Sequence, residues 1–165
     1  GLTDIYYHNL DYPQSSGLTS CYWDQYSDGK MENISDLQTN MTEFIKGSDG
    51  IISSPLNMAQ FYKAVFDGSL INDEMINILK TDWVLTEENE QKMNTAYSHG
   101  YMVIQAEDGD WLGHAGLHIG TACYVFYNIQ TQATIAVFSN TGAFFFPERM
   151  KMIYHDLWND LRNTF

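Results

Sequence analysis

The chain has 165 residues, 44% of them apolar and 15% aromatic, with a formal net charge of −13. That length supports one domain with its own core, and eleven Tyr, nine Phe and four Trp demand burial, which excludes a disordered chain. The acidic balance repels polyanions, so nucleic acid is not an expected partner, and no run of 18 apolar residues offers a membrane-spanning helix.

Residues 1–49 are turn-rich and weakly periodic. "YPQSSGL", "YSDGK" and "KGSDG" are loop signals. The segment reads as irregular chain, with scattered aromatics, lying on a core built elsewhere; a short helix is expected near residues 40–46. The next segment, "SSPLNMAQFYKAVFDG", reads as a helix. Ser54 is the N-cap, Pro55 takes the first helical position, and Gly68 ends it. Met58, Phe61, Tyr62 and Val65 recur at i, i+3, i+4 and i+7, giving one apolar face. "NDEMINILK" reads as a second helix, capped by Asn72, with Asp73 and Glu74 at its positive end and Lys80 at the other. "TEENEQKMN" is acidic and is expected to form another solvated turn or two of helix.

From Tyr97 the period changes to that of strands. "YSHGYMVIQAEDGDWLGHAG" reads as two antiparallel strands joined at Asp108-Gly109. "GTACYVFYNIQTQATIAVFSNTG" reads as a second hairpin turning near Gln130-Thr131. The chain closes on "PERMKMIYHDLWNDLRNTF", where Met150, Ile153, Tyr154, Leu157, Trp158 and Leu161 form an apolar stripe suited to one face of the sheet. The fold class is therefore α+β: helices, an antiparallel sheet meander, then a C-terminal helix packed on the sheet.

The candidate chemistry is sparse. Cys21 and Cys123 are too far apart in sequence for a local metal knuckle, and Cys123 lies in an apolar strand where a buried inert thiol is the expected fate. His114 and His118 are four apart, but on an extended strand that spacing exceeds about 12 Å, so no metal site is expected. His155 falls beside the apolar stripe and reads as structural; His8 sits in a loop. S-x-x-K occurs at Ser27–Lys30 and Y-x-N at Tyr7–Asn9. A working S-x-x-K must open a helix so that Lys lies one turn from Ser, whereas Asp28-Gly29 favours a turn. Both matches are read as chance. "GHAGLHIG" is the puzzling stretch, because glycines weaken a strand and mark close approach by a ligand or another backbone.

Taken in order, these segments resemble the serine β-lactamase and penicillin-binding-protein-like family. "GSDGIISSPLNMAQFYKAVFDGSLIN" resembles its "GG-hydrophobic-S-[ST]-x-x-D-[LM]-x-x-F" helix, followed by a small helix, here Met75 to Lys80. Tyr97 to Gly142 resembles the family's tail, which runs "Y-G-x-G-W", a hairpin, "G-H-x-G" and two long strands. "GLTDIYYHN" resembles the "PLGM-x-D-T" stretch after the family's tyrosine motif. The nearest group is the class C-like one, whose third motif K-T-G is often H-x-G. The resemblance implies that His114 is the catalytic residue of this stretch, helping to hold a substrate carboxylate and the protonation state of the site. It implies that Ala115, Gly116 and Leu117 are substrate-binding, with the Leu117 N–H in the oxyanion hole and Gly116 admitting the substrate backbone.

The departures bear on what this stretch can do. In the family, S-x-x-K precedes Y-x-N, which precedes the third motif; here the apparent order of the first two is reversed. With its abrupt start at "GLTDIYYHN", the chain is expected to be one domain over 1–165, the C-terminal part of a longer β-lactamase-like domain, silent by itself. The resemblance further implies an acyl-enzyme hydrolase acting on a small-molecule or peptide substrate, without a cofactor, in the cell envelope. The alternative is a non-catalytic binding or sensor domain on the same fold; a third is an unrelated α+β domain. Residues 134–140 are expected to expose a strand edge open to self-association.

Overall fold

The computed structural model describes residues 3–7, 17–42, 50–86, 95–142 and 156–164. Its centre is a six-stranded antiparallel sheet in the order β10-β9-β8-β7-β6-β5. The strands are β5 (Trp83–Leu85), β6 (Ala96–Ser98), β7 (Tyr101–Ala106), β8 (Gly109–Leu117), β9 (Ala122–Asn128) and β10 (Thr134–Ser139). Spatial order follows chain order, so the sheet is a simple meander built by short connections. Helices α2 (Pro55–Phe66) and α3 (Asp73–Thr81) precede it, and α4 (Leu157–Arg162) closes the described chain.

The caps form as the sequence predicts. Ser54 Oγ accepts from the Asn57 N–H at 3.2 Å with Pro55 opening α2, and Asn72 Oδ1 accepts from the Met75 N–H at 2.9 Å at the start of α3. Gly68 follows α2 at φ 86°, a conformation that costs a side-chain-bearing residue dearly. The C-terminal end of α3 is fastened to the sheet by one carbonyl: Leu79 O accepts both the Trp83 indole N–H and the Ser98 hydroxyl.

Two apolar layers sandwich the sheet. On one face Tyr62, Val65 and Phe66 of α2 and Leu79 of α3 pack against Ala96, Val103, Leu112, Val125 and Tyr127. On the other, Trp158 of α4 packs against Ile104, Trp111, Tyr124, Phe126 and Ile135. Strand β9 contributes to both layers, which is why "ACYVFY" is almost continuously apolar rather than alternating. Arg162 of α4 bonds Asp108 at 3.0 Å while lying 5.0 Å over the Trp158 ring, and Asp108 also accepts from the Trp111 indole. The C-terminal helix is thus packed on the sheet and pinned to its β7–β8 turn. Of the stripe read from sequence, Trp158 is buried and Leu161 partly so, Leu157 is exposed, and Met150, Ile153 and Tyr154 lie outside the described residues.

Several local readings change. The segment expected to hold two strands holds three, because His99-Gly100 turns the chain between β6 and β7; β5 was not foreseen at all. The first hairpin turns at Glu107-Asp108, with Ala106 opposite Gly109. Gly109 is the first residue of the return strand at φ 122°, so the glycine is required one place later than a two-residue Asp-Gly turn would put it. The second hairpin does turn at Gln130-Thr131: buried Asn128 Oδ1 accepts from both their N–H groups, and its amide donates to Asp108 O. The N-terminal part is more regular than expected. It forms β1 (Ile5–Tyr7) paired with β4 (Ile51–Ser53), a small hairpin of β2 (Tyr22–Trp23) and β3 (Glu32–Asn33), and α1 (Ser35–Thr42). The helix expected near residues 40–46 is the end of α1, and residues 43–46 lie outside the described chain, as do His8, His155 and most of "TEENEQKMN".

The free side of β10 is partly covered. Asn128 N–H bonds to Ala133 O across the hairpin, so the odd residues of β10 face β9 and the N–H and C=O of Thr134, Ala136 and Phe138 point outward. Past the end of β10, Tyr22 pairs in parallel with Thr141, donating to Asn140 O and accepting from Gly142 N–H.

Gly113 tests the central packing. A Cβ there would lie 2.0 Å from Val125 O and 2.5 Å from the Phe126 ring. Backbone cannot yield at that distance, so Gly113→Ala is expected to cost about 3 kcal/mol in urea unfolding; a loss below ~0.5 kcal/mol would show that β8 and β9 are not this close.

Candidate active site

Strand alternation decides what β8 presents to each side. Trp111, Ala115 and Leu117 belong to the layer under α4, and Leu112 to the layer under α2. His114 and Gly116 therefore share the α2 side with Leu112. The ladder runs from Trp111 opposite Asn128 to Leu117 opposite Ala122, placing His114 beside Val125 and Gly116 beside Cys123.

Of the four motif residues, then, only His114 offers a functional side chain to this face. Ala115 and Leu117 can contribute only their backbone. The His118 N–H bonds Thr121 O and the Ile129 N–H bonds Asp110 O, so alternate N–H groups of β8 face β9 and that of Leu117 points the other way. On that side the last rung between β7 and β8 joins Met102 and Gly113, so β7 has already ended where Leu117 lies. The outcome is a projecting strand end with an imidazole on one face and a backbone donor at its side.

His114 is exposed but not unheld. Its Nδ1 lies 2.6 Å from Ala115 O and its Nε2 2.5 Å from the Tyr97 hydroxyl. A carbonyl can only accept, so Nδ1 carries a proton. Tyr97 comes from β6 and meets the imidazole edge-on, at 82° with centroids 6.0 Å apart. Further phenols gather nearby: Tyr62 of α2 packs edge-on against Tyr101 of β7, with centroids 6.0 Å apart. Burial, reinforced by the neighbouring Tyr101, Cys123 and Tyr97, pushes the Tyr62 phenol well above its ordinary value, and burial also raises Tyr101. Tyr62 and Tyr101 therefore remain neutral hydroxyls at physiological pH.

His118 goes elsewhere. Its Nδ1 lies 2.6 Å from Gln38 Oε1, which also accepts from the Gly120 N–H at 3.0 Å, while the Gln38 amide reaches Thr121 Oγ1 at 3.2 Å. Through buried Gln38, α1 thus grips the β8–β9 turn. The two histidines serve different partners. Cys21 and Cys123 form no disulfide, and Cys123 is half-buried on the His114 face rather than fully enclosed. Tyr97 and Gln38 escaped the sequence reading. Tyr97 stood in plain view as the first aromatic of "YSHGY", whereas Gln38 carried no pattern signal because its partner lies 80 residues away.

The Beta-lactamase family model matches residues 1–154. The chain belongs to the Beta-lactamase family. Among solved structures it is similar to D-amino acid amidase from Ochrobactrum anthropi SV3 complexed with L-phenylalanine, with a TM-score of 0.74 and 15% identity over 98% of this chain and 49% of that one. A further structure of that amidase gives 0.69 and 17% over 99% of this chain and 47% of that one. D-stereospecific amidohydrolase from Streptomyces sp. gives 0.65 and 16% over 94% and 44%. At these identities the likeness is one of fold, and the chain spans about half the length of the structures it matches. No curated protein sequence matches. The family and fold together make this chain part of a serine-hydrolase-type superfamily.

Within a β-lactamase-type fold the apparent nucleophile motif is misplaced. Ser27 sits in the β2–β3 turn at φ 54°, and Lys30 pairs with Asp28 at 2.9 Å. Neither opens a helix. Of the apparent Y-x-N, Tyr7 ends β1 and the other two residues lie outside the described chain.

Gly116 faces a steric demand from inside the sheet: an added Cβ would approach Cys123 Sγ to 2.7 Å. Gly116→Ala is expected to lose about 1–2 kcal/mol by urea unfolding, and Cys123→Ala in the same chain to restore most of it. A double-mutant cycle with no coupling would show that the glycine is not set by Cys123.

Proposed function

We propose that the chain supplies one wall of the active-site cleft of a serine hydrolase of the β-lactamase, D-Ala-D-Ala peptidase or esterase type, acting on an amide or ester through an acyl-enzyme. The supporting observation is the end of β8, where His114 and the Leu117 N–H stand together beyond the last rung to β7. A strand end whose backbone donor points past the last described rung suits an oxyanion formed during acyl transfer, a contact worth a few kcal/mol in such enzymes. The motif residues keep the roles implied by resemblance, with Ala115 and Leu117 acting through backbone and Gly116 through its lack of bulk. The nucleophilic serine and its lysine base belong to sequence outside residues 1–165. Amides of D-amino acids, the substrates implied by the names of the similar amidases, join lactams and esters as the substrate class; the expected location is the cell envelope.

In the complete protein, nitrocefin or p-nitrophenyl esters are expected to turn over, and residues 1–165 alone are expected to give only the uncatalysed rate. A complete protein that carries a helix-opening S-x-x-K and still turns over neither class would overturn the hydrolase reading. Absence of that motif favours the alternative of a binding or sensor domain.

Among the described residues no strand pairs with the outward N–H and C=O groups of Thr134, Ala136 and Phe138, an arrangement that favours strand pairing with another chain. Residues 1–165 by themselves are expected to self-associate through these groups. Light scattering that finds only monomer at high concentration would contradict this.

A further inference from the structure

The hydrogen bonds around His114 point to a different recognition group from the one the motif suggests. With Nδ1–H committed to Ala115 O, the neutral ring has one acceptor, Nε2, and the Tyr97 hydroxyl fills it. Both imidazole nitrogens are then occupied. The Tyr97 hydroxyl donates its hydrogen bond to His114 Nε2, and its oxygen keeps lone pairs that can accept. An oxygen that donates to a good acceptor becomes a better acceptor itself. Among the described residues no lysine or arginine bonds to either partner, so a carboxylate brought to the Tyr97 oxygen would meet lone pairs. An ammonium or amide N–H would meet an acceptor, on a chain of net charge −13.

We propose that Tyr97 is the substrate-contacting group of this wall, accepting a hydrogen bond from a substrate ammonium or N–H, and that His114 is its positioning residue. The inference rests on the cleft reading above and narrows its substrate class to ligands that bring a nitrogen donor to β8. It differs from the role that the resemblance implies for His114, that of holding a carboxylate, and the two probes below distinguish them.

The test is nitrogen NMR of the histidine side chains in the complete protein near neutral pH, with His114 assigned by its absence from a His114→Gln variant. The resting spectrum is expected to show the Nδ1–H tautomer. Two probes are then titrated: phenylalaninamide, which has an ammonium and no carboxylate, and 3-phenylpropionate, which has a carboxylate and no nitrogen. Phenylalaninamide is expected to shift the His114 Nε2 signal at roughly tenfold lower concentration, the value of one charge-assisted hydrogen bond. Tyr97→Phe is expected to abolish that preference while the protein keeps its fold. An Nε2–H tautomer, a preference for 3-phenylpropionate, no shift with either probe, or a preference that survives in Tyr97→Phe would each overturn the proposal. Turnover of a p-nitrophenyl ester, measured on the same sample, reports separately on the hydrolase reading, so each can fail without the other.

Discussion

Everything the candidate site offers depends on the register between β8 and β9. The seven rungs from Trp111–Asn128 to Leu117–Ala122 decide which side chains enter the aromatic layer under α4 and which face α2. A slip of one residue would exchange the two sets, driving His114 toward Phe126 and Trp158 and carrying Trp111 and Leu117 to the α2 side. The register is pinned where slippage would begin. Gly113 closes on Val125 O with no space for a side chain, buried Asn128 ties the two hairpin turns together, and Arg162 and Trp111 converge on Asp108. An aromatic core on one face thus secures the polar arrangement on the other.

The two faces meet different physical demands. Beneath α4 the contacts are ring against ring: Trp158 lies edge-on to Trp111 and Tyr124 at 5.5 and 5.7 Å, and Tyr124 stacks on Phe126 at 4.2 Å. That side resists change because few other side chains fill the same volume. Toward α2 the layer is apolar near Leu112 and Val125 and becomes phenolic at Tyr62 and Tyr101. Phenols suit such a boundary, since their rings pack while their hydroxyls stay neutral and available for hydrogen bonding.

Much of this was legible in the chain. The caps at Ser54 and Asn72, the change of period after Tyr97, the turn at Gln130-Thr131 and the arrangement of helix, meander and terminal helix all follow from local rules that the fold leaves intact. The family likeness was readable because its pieces occur in order, though each is degenerate alone. What escaped was non-local or short. Strand β5 has three residues and depends on β6 for its definition, and the two-residue strands β2 and β3 fall below any periodic signal. The H-x-G stretch lies on β8, where the pleat sends the side chains of Ala115 and Leu117 to the opposite side from His114, a division that the motif alone does not express.

The N-terminal segment gains most from the three-dimensional view. Read as irregular chain, residues 17–42 instead build a clamp on the strand end that carries the site. Gln38 Oε1 receives the Gly120 N–H, and since that bond makes the oxygen an acceptor, His118 Nδ1 must donate to it. With the His118 N–H bonded to Thr121 O, the turn immediately after Leu117 is held on three sides. A backbone donor can stabilise a developing oxyanion only if it is already aimed, because reorienting it during reaction would consume the energy it supplies. In the role proposed above for the Leu117 N–H, the bonds that fix the next residue's backbone and side chain would aim it. They also explain why an extended polar segment with so little pattern folds here: its order comes from bonds to the β8–β9 turn and from Tyr22 pairing beside Thr141.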